Sequence, residues 1–177
     1  MVRTAEGLAS RGIQAATFDF DYITARKHAP DRPPILEARW REAIAAARER
    51  FSGLPLFIGG KSMGGRIASH VAAQGDVDVA GLVFLGYPLH PPGRPEQRRD
   101  AHLPQITAPM LFVQGTRDPF GTTEEIRALL PRLPNATVYE VAGGDHSFKV
   151  SGRGAPKPDA VLNTALDRVA EWIRQSV

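Results

Sequence analysis

A serine flanked by glycines constrains this chain more than any other feature. The motif Gly60-Lys61-Ser62-Met63-Gly64 follows the apolar run 54–58 and precedes a helix-compatible stretch at 66–73. A strand, a G-x-S-x-G turn and a helix are together typical of a nucleophile elbow, in which a serine hydroxyl stands exposed beyond a buried strand. Side chains at Gly60 and Gly64 should collide with neighbouring elements, so glycine is expected at both. The pattern predicts Ser62 as a nucleophile, with the Met63 N–H as one oxyanion donor.

Two further apolar runs lead to residues that can activate a serine. Residues 109–115 are followed by Asp118, and residues 136–141 are followed by His146. The three polar side chains thus come in the order serine, acid, histidine, which is neither the chymotrypsin nor the subtilisin order. We expect His146 and Asp118 to converge on Ser62 at the carboxyl edge of a parallel sheet. His146 would act as general base, and Asp118 would hold its tautomer.

Helical patterns alternate with strand patterns along the whole chain. This alternation favours one α/β domain over residues 1–177, with a largely parallel sheet flanked by helices. About five strands are expected, at 13–20, 54–58, 80–85, 109–115 and 136–141. Helices are expected at 2–11, from Pro33-Pro34 to about 51, at 66–73, at 122–133 and from about Asp159 onward. Residues 22–33 and 87–108 are interpreted as loops, and the second is placed where a cap over the site would lie.

Composition excludes several other classes of protein. The chain has no cysteine, which excludes a disulfide framework and cysteine catalysis. Its net charge is only +3 and its basic stretches lack interleaved aromatic residues, so no nucleic-acid partner is expected. Because no apolar run reaches membrane-spanning length and the first residues lack a signal-peptide core, we expect no membrane partner and a cytoplasmic location.

The histidines and carboxylates outside the three motifs do not predict a metal site. His28, His90 and His102 lack partners at metal-ligand spacing. Asp19 and Asp21 alternate on a predicted strand end and could bind a cation from one face, but solvated turn residues are the favoured interpretation. We therefore expect no metal and no cofactor.

Each motif also has a simpler interpretation. Ser62 could cap the following helix, His146 could be an ordinary loop histidine, and Asp118 could be a turn residue. A phosphate-binding loop is a further alternative for the serine motif, but it needs glycine where this chain has Pro55. Asp145, beside the histidine, is expected to shape its turn.

Four segments together resemble a known family. Similar motifs occur, in the same order, in small α/β-hydrolase-like proteins related to dienelactone hydrolases, whose nearest branch includes a subunit of an animal chromatin-modifying complex. The segments are Gly60–Arg66, the Gly86-Tyr87-Pro88 turn, Gln114–Gly121 and Gly144–Phe148. The resemblance covers nearly the whole chain. It implies a serine-hydrolase fold, a Ser62-His146-Asp118 triad and a small-molecule ester or related acyl substrate.

One element of that family is not matched. Its members usually begin with more strands and a His-Gly-x-Gly-like loop that donates a second oxyanion N–H, whereas this sequence contains no His-Gly pair. We therefore expect the N-terminal strands and oxyanion loop to be absent, through a misassigned start, a fragment or a reduced domain. The resemblance then implies a weak esterase, lacking about 3–4 kcal/mol of transition-state stabilisation. Self-association through the exposed sheet flank is expected too. The alternative is a non-catalytic scaffold or interaction domain that keeps the fold.

Overall fold

The computed structural model describes residues 1–26 and 29–177. His28, considered above as a metal ligand, lies outside the described residues. The strands are β1 (Phe57–Lys61), β2 (Gly81–Leu85), β3 (Met110–Gly115) and β4 (Ala136–Val141). The helices are α1 (Val2–Ala9), α2 (Asp21–Thr24), α3 (Pro33–Arg50), α4 (Met63–Ala73), α5 (Thr123–Arg127) and α6 (Pro158–Gln175). Short 3₁₀ turns cover Leu103–Gln105 and Leu130–Arg132.

The four strands form one parallel sheet in the order β1-β2-β3-β4. Gly60 pairs with Phe84, Phe84 with Phe112, and Phe112 with Val138, so the strands are aligned across the sheet. Parallel neighbours need crossover connections, and helices supply most of the cover on both faces of such a sheet. The expected parallel sheet flanked by helices is therefore confirmed.

Alternation along the strands divides the apolar interior into two cores. Phe84 and Phe112 point to a first core with Trp40 of α3 and Ile67 of α4. Their neighbours in the strands point to the opposite face, where a second core packs against α6. That core contains Leu85, Leu111, Val113, Val141, Phe148, Ala165, Val169 and Ile173. Successive side chains in a strand face opposite sides, so both faces are apolar and both are covered.

The strand expected at residues 13–20 is wrong. This stretch forms neither helix nor strand, and it ends at the short helix α2, which occupies part of the loop expected at 22–33. Phe18 and Phe20 instead pack at the first core, with the Phe18 ring 4.8 Å from that of Trp40. Alternating apolar and polar residues give a segment one apolar face that can be buried. A strand also needs a neighbouring strand to pair with its backbone N–H and C=O groups. The described sheet accordingly has four strands, with β1 at one edge.

The elbow strand lies three residues later than expected. Pairing with β2 begins at Phe57, opposite Gly81, while Leu54 is exposed. Proline at position 55 has no N–H to offer a neighbouring strand, which removes the start of the apolar run from the sheet. The strand therefore runs through Gly60 and Lys61 directly into the turn at Ser62.

The helix expected at 122–133 is shorter in the structure. It begins with the expected capping box, in which Thr122 and Glu125 bond each other's backbone N–H groups. It ends at Arg127, and a separate 3₁₀ turn contains Pro131, which cannot continue the α-helical hydrogen bonds. Three of the four expected inward residues are buried, while Leu130 is partly exposed.

The proline-rich segment 87–108 belongs to the first core. Tyr87, Leu89, Leu103 and Ile106 are each at most 4% exposed. The Tyr87 hydroxyl donates to the Arg99 carbonyl at 2.7 Å, which ties the segment to itself. Burial of these four apolar side chains anchors the segment, which was expected where a cap would lie, to the core of the domain. Within the described residues, no helix combines the length and apolar character needed to cross a bilayer.

Candidate active site

Ser62 occupies the turn between β1 and α4. Its backbone has φ 52° and ψ −123°, a combination that non-glycine residues rarely adopt. The neighbouring elements hold it there, because the Ser62 N–H donates to the Leu85 carbonyl at 3.1 Å and the Ser62 carbonyl accepts from the Arg66 N–H at 3.1 Å. The strained turn keeps the side chain at the carboxyl edge of the sheet, where it is partly exposed.

The glycines of the turn have different steric roles. A Cβ at Gly65 would lie 2.6 Å from the Gly60 carbonyl oxygen, so this position has no room for a side chain. Gly60 has φ 153°, and a Cβ there would only touch Gly64 and Gly65 at 3.5 Å. The collisions expected at Gly60 and Gly64 are therefore both wrong, since 3.5 Å is an ordinary contact distance and a Cβ at Gly64 would meet nothing within 4 Å. The Gly64 carbonyl accepts a hydrogen bond from the Trp40 indole at 3.1 Å, which braces the first turn of α4 against α3.

The structure brings Ser62, His146 and Asp118 together. The Nε2 atom of His146 lies 2.8 Å from the Ser62 hydroxyl oxygen, and its Nδ1 lies 2.8 Å from Asp118 Oδ2. Because a carboxylate only accepts, Nδ1 carries the hydrogen and Nε2 of the neutral ring is free to accept from Ser62. Asp118 follows β3 and His146 follows β4, so the sheet edge positions all three.

Asp118 is buried and fully hydrogen-bonded. Its side chain has no exposed area, and such a carboxylate must be satisfied by donors. Oδ1 accepts the Phe120 N–H at 2.8 Å, while Oδ2 accepts from His146 and from the Gln114 side-chain amide at 2.9 Å. Asp118 thus bonds the backbone of its own turn, as the simpler interpretation expected, and also contacts the His146 imidazole.

Two neighbours shape the space around the imidazole. Gly86 has φ 68°, and a Cβ there would lie 3.2 Å from the His146 carbonyl oxygen and 3.5 Å from Asp118 Oδ2. Glycine therefore permits both the turn after β2 and the close approach to the histidine. On another side, the Phe120 ring lies 4.3 Å from the His146 ring and shields it from solvent. The His146 side chain is only 18% exposed.

Asp145 has the turn-shaping geometry expected of it. Its Oδ1 accepts the N–H groups of Ser147 and Lys149 at 2.8 and 2.9 Å, which closes the turn that carries His146. These bonds stabilise the carboxylate and lower the pKa of Asp145 against the opposing effect of desolvation. The Met63 N–H is the first amide of α4, and the first amides of a helix have no acceptor within it. It remains the candidate oxyanion donor.

Two cavities among the described residues lie away from this site. One of about 420 Å³ is lined by residues that include Thr116, Glu124 and Glu140, and another of about 250 Å³ by residues that include Glu37 and His102. Neither lining contains a member of the Ser62-His146-Asp118 group. The candidate site is therefore defined by its hydrogen bonds and not by a deep cavity.

His90 and Asp21, both considered above as metal ligands, have structural partners. His90 is buried, with Nε2 3.1 Å from a Glu125 carboxylate oxygen and Nδ1 2.9 Å from the Pro91 carbonyl. Asp21 lies in α2 and forms an ion pair with Arg39 at 3.5 Å. Within residues 1–26 and 29–177, no group of three His, Cys, Asp or Glu is arranged to hold a metal ion.

Protonation is disfavoured at two histidines that lie between α4 and the segment 87–108. The rings of His70 and His102 lie 4.3 Å apart, and His102 Nε2 lies 2.7 Å from the Ser69 hydroxyl. Burial, with smaller effects of His70 and Arg66, lowers the pKa of His102 to about 4. Burial also lowers the pKa of His70, although Glu37 opposes this effect.

This pair predicts a loss of stability in acid. The unfolded chain takes up protons at histidine below about pH 6.5, whereas folded His102 does so only near 4. The stabilisation is therefore complete above about pH 6.5 and is lost as the pH falls toward 4. We expect the thermal midpoint of the natural chain to fall over this interval. In His102→Gln, whose side chain can still donate to Ser69, the free energy of unfolding should depend less steeply on pH, by up to about one bound proton. Equal slopes for the two proteins would contradict the assignment.

Two residues of the site were missed by the sequence reasoning. Gln114 occupies a polar position in an otherwise apolar strand, and that break in the pattern is the signal that could have found it. Phe120 lies in a loop, where no periodicity distinguishes a ring that stacks on the imidazole from one that faces solvent. Both contacts depend on loops meeting in three dimensions.

A family model described as alpha/beta hydrolase domain matches residues 1–174. An alpha-beta serine hydrolase homologue from Coxiella burnetii aligns with a TM-score of 0.73 and 19% identity, covering 96% of this chain and 74% of that one. An esterase domain of a Rhodothermus marinus protein has a TM-score of 0.70 and 15% identity, with 98% and 80% covered. A monoacylglycerol lipase from Paleococcus ferrophilus aligns with a TM-score of 0.64 and 15% identity, covering 85% of this chain and 78% of that one. At these identities the likeness shows a shared fold.

Proposed function

The chain belongs to the alpha/beta hydrolase domain family, and we propose that it is a serine hydrolase that cleaves an ester or related acyl bond. Ser62 is the nucleophile, His146 the general base and acid, and Asp118 the group that orients the imidazole. The motif resemblance to dienelactone-hydrolase-related proteins supports a small substrate. The esterase and lipase among the fold neighbours are consistent with acyl chemistry.

One observation carries the proposal. The Ser62 hydroxyl, on a strained backbone, lies 2.8 Å from Nε2 of His146. The other ring nitrogen, Nδ1, lies 2.8 Å from the fully buried carboxylate of Asp118. A serine that merely capped α4 would bond the amides of its own helix, and Ser62 makes no such side-chain bond. A nucleophile, a base and an orienting acid in hydrogen-bond contact are the arrangement that acyl transfer needs.

The reaction follows from these positions. Ser62 Oγ attacks the carbonyl carbon while His146 Nε2 takes the hydroxyl proton, and Asp118 stabilises the imidazolium that forms. The Met63 N–H, at the positive end of α4, stabilises the developing oxyanion. The imidazolium then donates its proton to the leaving oxygen, which leaves an acyl group on Ser62. Water attacks that acyl-enzyme with His146 again acting as base, and the proton returns to Ser62 as the acid departs.

A fluorophosphonate probe tests the proposal directly. It reacts with activated serines, so we expect labelling of about one site per chain, found by mass spectrometry on the peptide that contains Ser62. Ser62→Ala should not be labelled. Ser147→Ala, which removes an exposed serine beside His146, should be labelled like the natural chain. Absence of labelling in the natural chain would instead indicate a domain that keeps the fold without catalysis.

A further inference from the structure

Gln114 is a buried polar residue at the end of β3 whose side chain reaches three parts of the site. It has no exposed area. Its Oε1 accepts the Tyr87 N–H at 2.8 Å, which fixes the turn after β2. Its Nε2 lies 2.9 Å from Asp118 Oδ2, 2.6 Å from the Gly121 carbonyl and 3.3 Å from the Tyr87 carbonyl. One amide thus connects the loop after β2 with the loop that carries Asp118.

The surroundings determine which way the amide points. Its oxygen faces a backbone N–H, and its nitrogen faces a carboxylate and two carbonyls, all of which only accept. The opposite orientation would place oxygen against three acceptors and nitrogen against a donor, without a possible hydrogen bond on either side. Gln114 therefore donates to Asp118 through a charge-assisted hydrogen bond between two buried side chains.

The oxygen that Gln114 contacts is the one that holds the histidine. Asp118 Oδ2 accepts from Gln114 and from His146 Nδ1, while Oδ1 accepts the Phe120 N–H. Without the Gln114 amide, the carboxylate could rotate about its remaining anchor, and Oδ2 would move relative to Nδ1. The His146 tautomer depends on that alignment.

We propose that Gln114 is a positioning residue, which holds the Asp118 carboxylate in line with His146 and so keeps the imidazole hydrogen on Nδ1. The proposal rests on the proposed function for its effect on rate, but not for its effect on the histidine. Gln114 touches no reacting atom and acts through Asp118. The competing explanation is a purely structural one, in which the amide only satisfies Tyr87 and Gly121 and stabilises the fold.

Gln114→Met separates the two explanations. Methionine keeps the length and apolar stem of the side chain but cannot donate a hydrogen bond. We expect kcat for an activated ester to fall about 10- to 100-fold, as for loss of a hydrogen bond to a charged group, with KM nearly unchanged. The ¹⁵N chemical shifts of neutral His146 should show a mixture of tautomers, where the natural chain holds the hydrogen on Nδ1.

Thr123→Val is the matched control. Thr123 is buried and donates to the Gln114 backbone carbonyl at 2.8 Å, so valine removes a hydrogen bond beside the same residue without changing a donor to Asp118. We expect a similar loss of thermal stability, a natural His146 tautomer and natural kcat per folded molecule. If Gln114→Met keeps the natural tautomer while losing only stability, the residue is structural and the proposal is overturned.

Gln114→Glu provides a second test if the methionine variant does not fold. It keeps the acceptor that faces the Tyr87 N–H, but when ionised it repels Asp118 instead of donating to it. We expect a mixed His146 tautomer again, and a kcat at pH 8 at least 10-fold below that of the natural chain. A natural tautomer at a pH where the introduced carboxyl is ionised also overturns the proposal. Because the tautomer is measured without substrate, a chain that hydrolyses no ester would refute the proposed function and leave the role of Gln114 decided separately.

Discussion

Replacing Ser62 with alanine should reduce turnover of an activated ester to near background, a loss on the order of 10⁶-fold in kcat by comparison with other serine triads. His146→Ala should cost a similar factor, because neither group acts without the other. The double variant should lose little more than either single one. The reason lies in the 2.8 Å contact between Ser62 Oγ and His146 Nε2, since an alkoxide cannot form at neutral pH without a base in that position.

The measurement compares kcat for the three variants with that of the natural chain at equal folded fraction, verified by circular dichroism. Ser62→Ala removes only a hydroxyl and leaves the backbone conformation supported by its bonds to Leu85 and Arg66, so the fold should persist. Substantial activity in a folded Ser62→Ala protein would remove the serine from the mechanism. Losses that add together in the double variant would show that Ser62 and His146 act separately.

Asp118→Asn has the second largest expected effect, a fall of about 10⁴-fold in kcat. The Phe120 N–H requires an acceptor at the Oδ1 position, so the new amide nitrogen must take the place of Oδ2. It would then face His146 Nδ1 as a donor, and the imidazole hydrogen would move to Nε2. A histidine in that tautomer offers Ser62 a donor and cannot take its proton.

Asp145→Asn is the matched control for the loss of the carboxylate charge in Asp118→Asn. It sits beside the histidine and changes the same functional group, but asparagine can still accept the two N–H bonds that close the turn. We expect its kcat to stay within about threefold of the natural value, since surface changes that keep their bonds have small effects. An Asp118→Asn protein as active as Asp145→Asn would show that Asp118 does not orient the base.

Much of the fold could be predicted because strands β2, β3 and β4 are short apolar runs bounded by breakers. Each lies within one residue of its expected limits. The stretch 13–20 carries a similar pattern but forms no strand, since its hydrogen bonds depend on a neighbour that the pattern does not describe. The chemistry-bearing residues Ser62, Asp118 and His146 follow strands in parallel, and topology alone brings such positions to one edge.

The supporting contacts could not be predicted in the same way. The motif predicted the steric constraint at Gly60 and Gly64, whereas Gly65 is the position at which a Cβ would meet the Gly60 carbonyl. Gln114 reaches Tyr87 across 27 residues of sequence, and no local rule links the two. Residues that perform chemistry carry recognisable motifs, while residues that hold them in place are defined by tertiary contacts.

The order of the strands in the sheet is the same as their order along the chain, which affects the sequence of folding steps. Each strand can dock on one already made, so the sheet can grow outward from β1 as the polypeptide is synthesised. Ser62 emerges directly after β1 and His146 only after β4, 84 residues later. A nascent or partly refolded molecule would therefore hold the serine without its base. Recovery of hydrolysis after denaturation should then report the final docking step, later than the recovery of helical circular dichroism.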